Sequence, residues 1–133
     1  GHSETVAGMT PVEGRRRIRA FHVEQMARVA AKLKAVPEGN GTMLDNTLIL
    51  YLSDAAEKHH GSCLEWPFLL LGGLAGRGGR YLQYPGYGFT EHRTIGNLYN
   101  TLMHTIGQPK DTFGRLDSNL PVAMQRGPLA ELI

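Results

Sequence analysis

Four side chains able to hold a metal ion lie close together in this sequence: Asp54, Glu57, His59 and His60. They follow the uninterrupted run Thr47-Leu48-Ile49-Leu50-Tyr51-Leu52, with Ser53 directly before Asp54. A carboxylate beside paired imidazoles suits a divalent cation such as zinc or manganese, and the carboxylates also suit calcium. In open α/β sheets ligands gather beyond the carboxyl ends of strands, so a buried strand ending at Leu52 delivers these groups to a favourable place. The ligand spacing follows no strict motif. The opposing reading is a solvated polar loop whose histidine pair faces water.

The other chemistry-bearing residues weigh less. His22 and Gln25 stand between Phe21 and Met26 in an apolar stripe, which predicts a buried, hydrogen-bonded histidine. His92 precedes a helix and could close its N-terminus, whereas His104 projects opposite that helix's apolar face, towards solvent. Cys63 has no activating partner beyond His59 and His60, which argues against a nucleophile. Arg15, Arg16, Arg17 and Arg19 spread over more than half of a helix circumference, a poor stripe for docking phosphates. Their place at a helix start also opposes the helix dipole. The glycine-rich residues 72–79 lack a Gly-Lys-Ser/Thr ending and lead towards an extended segment, so they are not a phosphate loop.

Elements must position these groups. Residues 1–10 read as loop. Thr10 as N-cap and Pro11 as first residue open a helix reaching about Val36, with Ile18, Phe21, Met26, Val29, Ala30 and Leu33 along one face. Pro37 and the Gly39-Asn40-Gly41 turn stop it. Residues 47–52 and Pro67-Phe68-Leu69-Leu70-Leu71 are continuous apolar runs, the pattern of strands covered on both faces as in a parallel sheet. A short strand is expected at Arg80-Tyr81-Leu82-Gln83-Tyr84. Ile95, Leu98, Tyr99, Leu102, Met103 and Ile106 mark a last amphipathic helix, closed by Gly107 and Pro109. Residues 118–133 read as an irregular tail with one short helix near Leu129.

The chain has 133 residues, 41% of them apolar, enough for one domain or a piece of one. No stretch is long and apolar enough to span a membrane, and the first residues carry no signal-like apolar run. The formal charge is only +2, so nucleic acid is not an expected partner. A single cysteine excludes an internal disulfide framework. Two or three strands would expose apolar edges unless further chain covered them, which points to a missing N-terminal half, another chain or an oligomer.

Several segments together carry a family resemblance. These are residues 44–53, Trp66-Pro67-Phe68-Leu69-Leu70-Leu71-Gly72-Gly73, the helix with Phe21-His22 and Lys32-Leu33-Lys34-Ala35-Val36-Pro37-Glu38-Gly39, residues 79–85, Asn97-Leu98-Tyr99 and Phe113-Gly114. In order and spacing they resemble the C-terminal half of exported bacterial proteins with a histidine-rich HxxSHH motif, grouped with the alkaline-phosphatase and sulfatase superfamily. The resemblance covers about residues 15–117. It implies an α/β fold: the C-terminal portion of an alkaline-phosphatase-like sandwich, ordered helix, strand, strand, short strand, helix. It also implies an exported protein whose ancestral chemistry is metal-dependent hydrolysis of phosphate or sulfate esters.

On the superfamily pattern, His2 falls near a first ligand group and Asp54 matches the acidic group that ends a strand. His59 and His60 would replace a histidine that relatives carry just before the next strand, where this chain has Cys63, Leu64 and Glu65. Relatives show Ser-Asp-His-Gly where this chain has Ser53-Asp54-Ala55-Ala56. The nucleophile and first metal-binding aspartate would come from the N-terminal half. Hydrolysis is then incomplete or degenerate here, and the alternative is a non-catalytic binding or structural module of the same fold.

Overall fold

The computed structural model describes residues 8–53, 56, 63–76 and 78–133, and they fall in two compact units divided after Leu44. In the first, α1 spans Pro11–Lys34. Its start is fixed as the sequence suggests: Thr10 is extended and its Oγ1 accepts from the Glu13 N–H at 3.2 Å, with Pro11 in the first turn. Arg17–Glu13 at 2.8 Å and Arg28–Glu24 at 2.7 Å are exposed pairs one turn apart, each worth about 0.3–0.5 kcal/mol. The helix ends two residues earlier than expected, and β1 (Pro37–Glu38) pairs antiparallel with β2 (Gly41–Thr42). Gly39, at φ +56°, supplies the left-handed residue of the turn between them.

No residue of α1 is buried, and Ile18, Phe21 and Val29 are exposed. The periodicity of the apolar stripe was legible, but a stripe is buried only by a facing surface. Among the described residues of this unit the other element is a hairpin of two residues per strand.

The second unit contains β3 (Ile49–Leu52) and β4 (Phe68–Leu71), paired in the register Ile49↔Leu71, Leu50↔Leu70, Tyr51↔Leu69 and Leu52↔Phe68. The pairing is antiparallel, which corrects the parallel sheet expected from the continuous apolar runs. Composition reports burial on both faces, not strand direction, and direction follows from how the connection returns. Cross-strand partners share a face, so Leu50, Leu52, Phe68 and Leu70 point one way and Ile49, Tyr51, Leu69 and Leu71 the other. Leu50, Phe68 and Leu70 pack on a core of Leu98, Leu129 and Leu132.

Residues 80–84 form no ladder, so the short third strand is not present, although Leu82 and Tyr84 pack on the same core. The last helix, α2 (Ile95–Thr105), lies where its periodicity predicts, and Gly107 follows at φ +72°. The short helix placed near Leu129 instead falls at Val122–Gln125, as a 3₁₀ turn. The segment read as an irregular tail is low in regular structure but supplies buried Leu120, Gln125, Leu129 and Leu132. No helix among the described residues is long and apolar enough to cross a membrane.

Side-chain amides hold the tail. Asn97 and Asn100 are fully buried and Thr101 nearly so, on a face of α2 beside its apolar stripe. Asn97 Nδ2 donates to the carbonyls of Arg126 at 2.9 Å and Gly127 at 3.0 Å, while its Oδ1 accepts from the Thr94 N–H and hydroxyl at 2.8 and 3.0 Å. Asn100 Nδ2 donates to the Asp111 and Gly127 carbonyls at 3.1 and 3.2 Å. Thr101 Oγ1 donates to the Asn97 carbonyl and accepts from the Leu129 N–H, both at 2.8 Å. Chain without regular structure cannot satisfy its own backbone, so these side chains complete it.

Candidate functional site

The metal ligands expected from the sequence, Asp54, His59, His60 and His2, lie outside the described residues, as does Glu57. Their flanks are described. β3 ends at Leu52, so Ser53 leaves the carboxyl end of a strand as expected, within the connection to β4. Ala56 is buried and has φ +53°. Cys63 is exposed, also at φ +53°, and its carbonyl accepts from Trp66 Nε1 at 3.1 Å. Among the described residues no three His, Cys, Asp or Glu side chains are grouped so as to hold a metal.

The remaining histidines depart from expectation in two of three cases. His22 is exposed, its ring 6.0 Å from that of Phe21, instead of buried, on a helix with no buried residue. His104 is partly covered instead of solvated, lining a depression of about 490 Å³ with Gly73, Leu74, Thr105 and Leu132. His92 stands ahead of α2 as read, buried, with Nδ1 2.9 Å from the Pro85 carbonyl and its ring edge-on to Tyr87. That contact anchors the loop leading into the helix.

A site not nominated from the sequence lies between the 80–93 segment and the tail. Gln83, Tyr84, Glu91, Arg93 and Glu131, with Leu82 and Pro85 as apolar wall, line a recess of about 300 Å³. Tyr84 OH donates to Glu131 Oε2 at 2.9 Å, and Arg80 donates to the Glu131 carbonyl. Leu129 and Leu132, buried on either side of it in sequence, hold Glu131 at the rim. Glu91 sits at φ +65°, a left-handed conformation that costs a side-chain-bearing residue about 1 kcal/mol. A parallel link joins the Tyr87 hydroxyl to Asp117 Oδ2 at 2.6 Å.

Electrostatics define what the recess can do. Burial, and then the hydrogen bond to the Glu131 carboxylate, pushes the Tyr84 phenol up to about 12. Its own backbone N–H, and then the Tyr84 hydroxyl, holds the Glu131 carboxyl below the usual carboxylate range. At neutral pH Tyr84 is therefore a hydrogen-bond donor and Glu131 an ionised acceptor. Neither is poised as a nucleophile or a general acid. Residues 84 and 131 are far apart in sequence, so no local spacing reveals the pair. The one sequence signal is the crowding of aromatics and glycines in residues 81–89. Comparison with family models, curated proteins and solved structures finds no match.

Proposed function

We propose that this chain is the C-terminal portion of an exported sulfatase- or phosphatase-like protein whose ancestral chemistry is metal-dependent hydrolysis of phosphate or sulfate esters. The observation that carries the reading is β3. Residues 49–52 are extended, and Ser53 leaves the carboxyl end of that strand immediately before Asp54. Position 56 adds support. It falls where the resembled proteins carry the glycine of Ser-Asp-His-Gly, and its backbone lies in the left-handed region that favours glycine.

In this reading Asp54, His59 and His60 offer carboxylate and imidazole donors to zinc, manganese or calcium, with His2 as a further candidate. A cation held there supplies Lewis-acid polarisation of the ester oxygen. The nucleophile and remaining ligands come from an N-terminal half or another chain, so this chain alone binds the metal weakly and turns over no ester. The ribbon of β3 and β4 fits such a partner, because both of its faces are apolar and only one lies on the Leu98 core.

The second reading is a non-catalytic binding or structural module. Buried Ala56, following Ala55 where relatives have histidine, favours it. Calorimetric titration with zinc and with manganese separates the two. The hydrolase reading expects saturable binding that weakens as pH falls below about 6.5, where imidazoles protonate. Asp54→Ala or His60→Ala abolishes it. A folded chain that binds neither ion leaves the module reading.

A further inference from the structure

We propose that the recess beside Tyr84 binds a saccharide, with the Tyr81 ring as stacking platform and Gln83, Glu91, Arg93 and Glu131 as its hydrogen-bonding rim. Size comes first. About 300 Å³ is at the lower end of ligand pockets, room for one pyranose ring. Next is the chemistry of the rim. Sugar hydroxyls donate and accept at once, so a site that reads them needs both kinds of group side by side. The carboxylates of Glu91 and Glu131 only accept, the Arg93 guanidinium only donates, and the Gln83 carboxamide does both. Charges of both signs share this rim, which suits a neutral polyol better than a bare anion or a metal ion.

Tyr81 is the third observation. It is 85% exposed, far more than Leu82 beside it, which turns into the core. Its hydroxyl lies 3.4 Å from Gln83 Oε1, which ties the ring to the rim. An open tyrosine face offers an apolar, rigid platform for the C–H face of a sugar ring at little conformational cost. The rim is also held in advance of binding, because Glu131 is fixed by Tyr84 and Arg80. None of these residues belongs to the 53–62 connection, so the inference is independent of the hydrolase reading.

The test is a printed array of neutral and charged mono- and oligosaccharides probed with the folded 133-residue chain, followed by calorimetry with the best-retained sugar in solution. The expected result is retention of at least one neutral glycan, with affinity about tenfold lower in each of Tyr81→Ala, Glu91→Ala and Arg93→Ala. Tyr81 and Glu91 are exposed, so these two variants keep the native circular dichroism spectrum. Asp54→Ala leaves sugar binding unchanged whether or not it loses metal, which keeps the two proposals apart. The proposal is overturned if the folded chain retains no glycan, if binding survives all three substitutions, or if inorganic sulfate or phosphate alone reproduces it.

Discussion

Asn97 and Asn100 are both fully buried, yet their bonding differs, and stability should follow the difference. Asn97 satisfies both ends of its carboxamide, on two tail carbonyls and on Thr94. The Oδ1 of Asn100 is buried and finds no hydrogen-bond partner among the described residues. Removing Asn97 strands several buried groups, whereas removing Asn100 also removes an orphaned acceptor. Asn97→Ala is expected to cost about 3 kcal/mol and Asn100→Ala about 1–2 kcal/mol, read by urea denaturation. Tyr84 makes a second prediction at this scale. Its phenol keeps its proton in the folded chain after an unfolded chain has released one. The contribution is complete below the ordinary tyrosine value and is lost as pH rises towards about 12. Glu131 runs the other way, its contribution present above the ordinary carboxylate range and lost as pH falls through its depressed value. Ultraviolet titration of Tyr84→Phe should lack the tyrosine component that ionises last, near 12, and Glu131 should titrate closer to an ordinary glutamate by NMR.

The two long helices stand on different support. α1 rests on a capped start and exposed ion pairs worth tenths of a kcal/mol, whereas α2 buries Leu98 and three polar side chains beneath the tail. A fully buried leucine alone contributes about 2 kcal/mol. Helices in water persist mainly through packing. Amide hydrogen exchange should therefore find the central amides of α2 protected close to the global unfolding limit and those of α1 exchanging through local opening. Equal protection in both would contradict this account. Glycine decides a further element contact. A Cβ at Gly73 would overlap the Asp45 backbone carbonyl, so the 3₁₀ turn at Gly73–Ala75 approaches that chain only because the residue has no side chain.

At the scale of the molecule, the ribbon of β3 and β4 is apolar on both faces while the Leu98 core covers one. On the other face Leu69 is exposed, and Ile49, Tyr51 and Leu71 are half-buried. A two-stranded ribbon is marginal by itself, and an apolar sheet surface in water invites a partner. Sedimentation of the chain at rising concentration is expected to show self-association, and Leu69→Lys to reduce it while shifting stability by no more than about 0.5 kcal/mol. A chain that stays monomeric throughout would mean that this face needs no cover.

What the sequence alone determined is local. Thr10 and Pro11 start α1, Pro37 and Gly39 end it, the 3.6-residue spacing of Ile95 to Ile106 draws α2, and the apolar runs mark β3 and β4. Caps, turns and periodicity act over a few residues, so a few residues encode them. Strand direction, the burial of Asn97 and Asn100, the role of the tail and the meeting of Tyr84 with Glu131 were not legible. Each depends on which distant segments come to share one core, and that is settled by packing and by the demand that buried backbone groups find partners. The exposure of Tyr81 and the recess beside Tyr84 belong to that second class.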